Sequence, residues 1–562
     1  MRIRLTLTLL LGLVVSLFIS CVREHDALSD DVLTISVEQH SAWIRNFNPF
    51  SPNARRFTRA GVYEPLMIFN SVSGELVPWL ASAFRWSADY KTLTFSIREG
   101  VQFSDGAPLT AEDVVFSFQL LKRFPALDTG GLWSVLESVQ VSKLAETQSS
   151  NPEVMLSLIE PFQPKLYDLA QHIIIPKHIW SAVDDPLTFT NPDPIGTGPF
   201  TEVSVFRSQL FELSRNPHYW REGRPAIRAL RFPAFPSNDQ ANLALVTGDV
   251  DWAGNFVPAI ERTFIAPAPE RRHYWFPLVG SVVNLIPNTA KPPFDRLEVR
   301  RALSYAIDRE RLVEIAMYGY TRPADSTGLS DGFTQERDPK IPSVFPWTEY
   351  RPQRSIELLK NAGFERKSDG WHSPGADEPI SLTIDVVSGW SDWVRAAQVI
   401  SQQLAELGIK AKVRTSEFSS WFDRLRNGHF ELAIAWADDR GSLYEYYRWL
   451  MSDETVKPVG EGTAGNFHRF GDKQADQLLT MLKKGVSENE KLEISKALQR
   501  RYAELTPVIP LFPNPQWGAA STERIVGFPS AEDPYAPLSP NREPECLLVF
   551  DRLTPRSKGE SR

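Results

Sequence analysis

The chain has 562 residues, 42% of them apolar and 23% charged, with a formal net charge of −8. That length supports two or three domains with substantial cores. The mixed, mildly acidic charge argues against nucleic acid or an anionic membrane surface as a partner.

At the start, Arg2 and Arg4 precede an apolar run from Leu5 to Ile19, and Ser20-Cys21 follows. A charged beginning and a short apolar core describe a secretory signal over residues 1–20, too short to span a bilayer stably. Its ending on a cysteine resembles a bacterial lipoprotein signal, which implies a lipid on Cys21 and a lipidated tether over 21–31. Phe18 departs from that pattern, because a leucine is usual there. An uncleaved anchor helix and a Cys21–Cys546 disulfide are the rival readings. Cys546 itself precedes Leu547-Leu548-Val549-Phe550 and reads as a buried strand residue, acting as a small apolar group.

Val32 to Val37 forms the first strand. Leu93, Phe95 and Ile97, then Val101 and Phe103, alternate as a strand pair around the turn Arg98-Glu99-Gly100. Thr110 is an N-cap with Asp113 at the capping-box position, and Val114, Val115, Phe118 and Leu121 give the following helix one apolar face. Gly196-Thr197-Gly198-Pro199 reads as a turn. It is no phosphate cradle, because Pro199 lacks the N–H such a cradle needs. Trp393, Ala397, Ile400, Leu404 and Leu407 form a helical core stripe, Gly408 ends it, and Ile409 to Val413 is a strand.

Several of these segments carry wording beyond what local physics requires. Residues 93–118, LTFSIREGVQFSDGAPLTAEDVVFSF, resemble a signature of the family 5 extracellular solute-binding proteins. These are receptors of ABC importers for oligopeptides, some oligosaccharides and nickel complexes. In order along the chain, the GTGP stretch at 196–199, Arg215-Asn216-Pro217-His218-Tyr219-Trp220, Gly248-Asp249-Val250-Asp251, Val299-Arg300-Arg301-Ala302-Leu303 and Pro507 to Pro513 are similar to further family segments.

The resemblance implies an α/β, two-lobed periplasmic-binding-protein fold of type II, with an extra inserted subdomain, closing over a central cleft. It places lobe I at 32–66, 190–279 and 506–551, the inserted subdomain at 67–189, lobe II at 280–505 and a tail at 552–562. It implies an extracytoplasmic lipoprotein, most simply a monomer, that captures an oligopeptide or similarly sized oligosaccharide. That solute passes to permease subunits and their ATPase. Contact with the membrane is expected through the lipid anchor only.

Catalytic and cofactor motifs (G-x-S-x-G, H-E-x-x-H, a P-loop, a Rossmann glycine pattern) do not occur, and the nine histidines lie scattered. No enzyme activity, cofactor or metal is therefore expected. A secreted glycan- or peptide-hydrolysing enzyme and a chemosensory or chaperone-like receptor are the competing readings.

The sixteen tryptophans are the best clue to the solute. Trp390, Trp421 and Trp436 are the candidates for contact with it, since flat rings suit sugar faces or peptide side chains. Trp436-Ala437-Asp438-Asp439 resembles the W-x-x-D pattern of peptide-binding members, whose acid pairs with the ligand's α-ammonium. Asp439 keeps that spacing and Asp438 falls one residue short. The Y-x-D-P that commonly follows is replaced by a stretch containing Tyr444 and Tyr446, closer to members that bind β-linked oligosaccharides. Peptide and oligosaccharide both stand as expected solutes.

Overall fold

The computed structural model of the protein describes residues 29–37, 39–142, 152–437, 441–483 and 487–557. The expected signal, Cys21, Asp438 and Asp439 lie outside the described residues.

Val32–Ser36 is buried along its whole length, which is why it lacks the alternation of a half-exposed strand. It lies inside a seven-stranded sheet, parallel to Ala229–Pro233 on one side and Trp252–Ala253 on the other. The Thr34 N–H donates to the Asp251 carboxylate at 2.8 Å, and Arg524 holds that carboxylate at 2.6 Å.

A second, four-stranded antiparallel sheet is ordered Ala81–Trp86, Thr92–Ile97, Glu153–Leu158, Leu136–Val141. The capped helix Ala111–Arg123 packs on it, and both halves of its Thr110–Asp113 capping box form. The expected hairpin does not. Both edges of Thr92–Ile97 are taken, by Ala81–Trp86 and Glu153–Leu158, so Val101 and Phe103 leave the sheet and pack as buried loop residues.

The second lobe is built on a five-stranded sheet ordered Lys410–Ser416, Ser381–Val387, Leu432–Trp436, Val282–Pro287, Ile509–Pro513. Its first three strands run parallel. Helix Ser391–Glu406 covers the sheet with the stripe from Trp393 to Leu404, and Gly408 ends the turn at φ +83°. Among the described residues no helix is long and apolar enough to cross a membrane.

The chain crosses between lobes twice, at 275–281 and 514–518. The second crossing therefore comes after the Pro507–Pro513 segment, whose strand still belongs to the second lobe. The crossings are bonded to each other: Asn514 N–H to Ser281 O at 2.8 Å, Gln516 N–H to Pro277 O at 3.0 Å, and Trp275 N–H to Gly518 O at 3.0 Å. Gly280 is required between them, because a Cβ there would lie 2.6 Å from the Asn514 carbonyl oxygen.

Two local expectations need correction. Cys546 is buried, but it caps the short helix Leu547–Phe550 instead of sitting in a strand. Gly196 and Gly198 are small because the chain lies flat against the carbonyls of Val62 and Gly61, so close approach, not a turn, demands them.

Candidate functional site

The cleft lies where the inner strands of both sheets end. The parallel strands Ser381–Val387 and Leu432–Trp436 both deliver their carboxyl ends to it, the usual place for a ligand in open α/β sheets. Helices Asn238–Thr247, Ser391–Glu406 and Phe418–Asn427 begin at the same place. Together these elements enclose a cavity of about 430 Å³.

One wall is aromatic and comes from the second lobe. Trp390 stands perpendicular to Trp393 at 4.8 Å between ring centres, with Phe418 at 5.8 Å and Trp436 at 6.2 Å. Trp390 and Trp436 both line the cavity. Trp421 does not: it is 0% exposed and packs behind them, 5.7 Å from Trp436.

The rest of the lining carries six neutral amides, Gln39, Asn238, Asn255, Asn514, Gln516 and Asn541, together with His40, Arg56, Glu417 and Arg542 and the rings of Phe256 and Trp517. Three of the amides keep a buried polar atom without a protein partner: Gln39 Nε2, Asn514 Oδ1 and Asn541 Oδ1. Every amide carries both a donor and an acceptor; those three atoms have almost no accessible surface, so they would meet a solute only if their side chains turned.

Asp392 also faces the cavity. Burial raises its pKa to about 6, and the backbone N–H groups of Asp392 and Trp393 and the Arg395 charge only partly offset that.

A second cavity, of about 450 Å³, lies between the inserted subdomain and the first lobe, with Gly441 its one lining residue from the second lobe. Arg542 lines both cavities. Its other walls include Phe69, Asp128, Gln171, His172 and Gly441. His172 is pushed down to about 4 by burial, which keeps the ring neutral.

The lobes meet on either side of these spaces. The Asn238 N–H donates to Gly389 O at 3.3 Å, and the Ile260 N–H to the Tyr320 hydroxyl at 2.8 Å. Lys165 of the inserted subdomain reaches Glu445 of the second lobe at 3.4 Å, with their side chains 4% and 3% exposed. Lys165 also donates to Gly130 O at 2.9 Å and pairs with Asp168 at 2.6 Å, while Glu445 holds Arg448 at 3.2 Å. Tyr444 packs edge-on against Phe162 at 5.0 Å in this contact. Tyr446 is buried in the second lobe with its hydroxyl on Gly328 O. Neither tyrosine lines either of these two cavities.

Residues 75–457 match the profile described as bacterial extracellular solute-binding proteins, family 5 middle. The chain belongs to that family. It is a solute-binding protein of the kind that serves ABC transporters. It is 27% identical over 450 residues to the nickel-binding periplasmic protein of Escherichia coli (strain K12), covering 76% of this chain and 79% of that one. It is 25% identical over 495 residues to the peptide transport periplasmic protein SapA of Salmonella typhimurium, covering 84% and 85%. A mannohexaose-bound periplasmic oligopeptide-binding protein from Thermotoga maritima superposes with a TM-score of 0.83 at 23% identity, covering 94% of this chain and 99% of that one. That likeness gives the two-lobed fold. Among the described residues no three His, Cys, Asp or Glu side chains group as metal ligands would.

Proposed function

We propose that this protein captures a short, hydroxyl-rich oligosaccharide by hinge closure and hands it to the permease of an ABC importer, performing no chemistry itself. In this reading it acts as a monomer held at the outer face of a bacterial membrane by lipid on Cys21. One observation supports the choice of solute: indole and phenyl rings share the cavity with six neutral amide side chains, each able to give and take hydrogen bonds. A sugar presents a flat C–H face to stack and a rim of hydroxyls that both give and take hydrogen bonds. Trp390 and Trp436 would take the ring faces.

A peptide is the second reading. It is favoured by the W-x-x-D spacing of Asp439 and by the Asp392 carboxylate facing the cavity.

Thermal shift with β-linked di- to pentasaccharides against di- to pentapeptides tests the choice, because a ligand of the folded form raises the melting temperature. Oligosaccharides should raise it, and Asp438→Asn and Asp439→Asn should leave their affinity within about fivefold, the worth of one neutral hydrogen bond. A peptide-only response abolished by either substitution would establish the second reading instead. Product formation with either class would replace the receptor by a hydrolase.

A further inference from the structure

Outside the cleft, the first lobe carries an open groove of about 660 Å³ beside the strand end at Arg215. Four arginines line it, Arg215, Arg221, Arg224 and Arg228, against two carboxylates, Glu202 and Glu222. Arg221 is paired with Asp551 at 3.1 Å, and Arg228 with Asp31 at 3.4 Å. Arg215 and Arg224 touch only backbone carbonyls, of Pro225 and Leu553, each at 3.5 Å. Among the described residues neither has a carboxylate within ion-pair distance. Arg228 also lies 3.7 Å from Glu212, so carboxylates balance the groove's charge, and what sets it apart is the two guanidiniums of Arg215 and Arg224 left without such a partner.

The place of the groove gives it meaning. The Arg228 N–H donates to Asp31 O at 2.7 Å, so the groove borders the point where the described chain begins. Cys21 lies eight residues before Ser29. Even fully extended, that length spans at most ~27 Å. A lipid on Cys21 therefore keeps this face of the first lobe close to the bilayer. None of the groove's lining residues lines either of the two cavities described above.

We infer that the Arg215–Arg224 groove is a docking surface for the phosphates of anionic phospholipid headgroups, orienting the tethered protein on the membrane. Guanidinium matches phosphate in bidentate geometry, and a surface that is acidic elsewhere would otherwise be repelled by an anionic leaflet. The inference rests on the lipid anchor at Cys21. Each arginine near such a surface strengthens association about fivefold, so the two without a carboxylate shift the docked-to-undocked ratio about 25-fold.

The test reconstitutes the lipidated protein in vesicles of phosphatidylcholine, with and without phosphatidylglycerol, and follows amide hydrogen exchange over 214–228. Phosphatidylglycerol should slow exchange there, and 0.5 M salt should reverse the slowing. Arg215→Gln with Arg224→Gln should abolish it while the solute-induced thermal shift stays unchanged. Failure to associate with either vesicle would reject the anchor, and the inference with it. Stable association with equal exchange in both vesicle types would overturn the groove's role alone. Slowing by inorganic phosphate in pure phosphatidylcholine, with no further effect of phosphatidylglycerol, would make the groove a site for a soluble anion and overturn the membrane assignment.

Discussion

Lys165 offers the most direct way to measure what holds the lobes shut. Its ammonium touches Asp168 at 2.6 Å within its own subdomain and Glu445 at 3.4 Å across the cleft. The Asp168 contact persists when the lobes part, because the two residues share one turn of chain, so only the Glu445 contact is specific to closure. Coulomb attraction at 3.4 Å with an effective dielectric of 20 is at most about 5 kcal/mol. Desolvation of two nearly buried charges removes most of that. Glu445 also keeps Arg448 at 3.2 Å whether or not Lys165 is present. About 1.5 kcal/mol should remain as coupling between Lys165 and Glu445, roughly tenfold in solute affinity. The assay is a double-mutant cycle of Lys165→Met and Glu445→Gln, read by calorimetric titration and by the solute's dissociation rate. The loss should fall on dissociation, with association nearly unchanged. Coupling within about 0.3 kcal/mol of zero would refute the reasoning, since independent sites add to that tolerance.

Three further outcomes follow from the geometry. Trp421→Ala should cost about 3–5 kcal/mol of stability in urea unfolding, as a fully buried ring does, whereas Trp390→Ala should spare stability by comparison and weaken solute binding at least tenfold; the opposite pattern would remove Trp390 from the binding wall. Asp392, raised to about 6 from an ordinary 3.8, penalises its charged form in the fold. Wild type should therefore lose about 3 kcal/mol of stability relative to Asp392→Asn as pH rises from about 4 to about 6, with no further change above, and parallel pH–stability curves for the two would contradict that burial. At Gly441 (φ +73°) a Cβ would lie 2.8 Å from the Phe69 ring. Gly441→Val should thus hold the lobes apart, and solution scattering should show no solute-dependent contraction; full contraction would mean that Phe69 yields.

What the sequence revealed of this architecture follows from the range of the forces involved. The helix after Thr110 and the core stripe from Trp393 were legible because caps and periodicity act within a few residues. The partner of Thr92–Ile97 was not, because strand choice depends on competition with segments up to sixty residues away, such as Glu153–Leu158. The site divides in the same way. Trp390, Trp421 and Trp436 are equal candidates in the sequence, because nothing local distinguishes the two that line the cavity from Trp421, which folds one layer deeper. The amides of the lining left no trace at all. Gln39, Asn238, Asn514 and Asn541 come from remote stretches of chain, and an isolated asparagine in a loop carries no signature of its neighbours. Asp392 sits in plain view beside Trp390, yet its burial comes from packing that no local pattern encodes.

The paired crossings have a bearing on how a transporter could read the loaded state. Two connectors bonded edge to edge form a ribbon, and a ribbon folds and twists more readily than it shears or bends within its own plane. Such a joint narrows the directions in which the lobes can travel. The relative pose reached on closing is then set by the backbone at 275–281 and 514–518 and by the far contact at Lys165, not by the chemistry of the trapped molecule. Solutes of different length or substitution would present the permease with the same outer silhouette. Selectivity would be decided inside the cavity, and the membrane partner would need to recognise only a single shape.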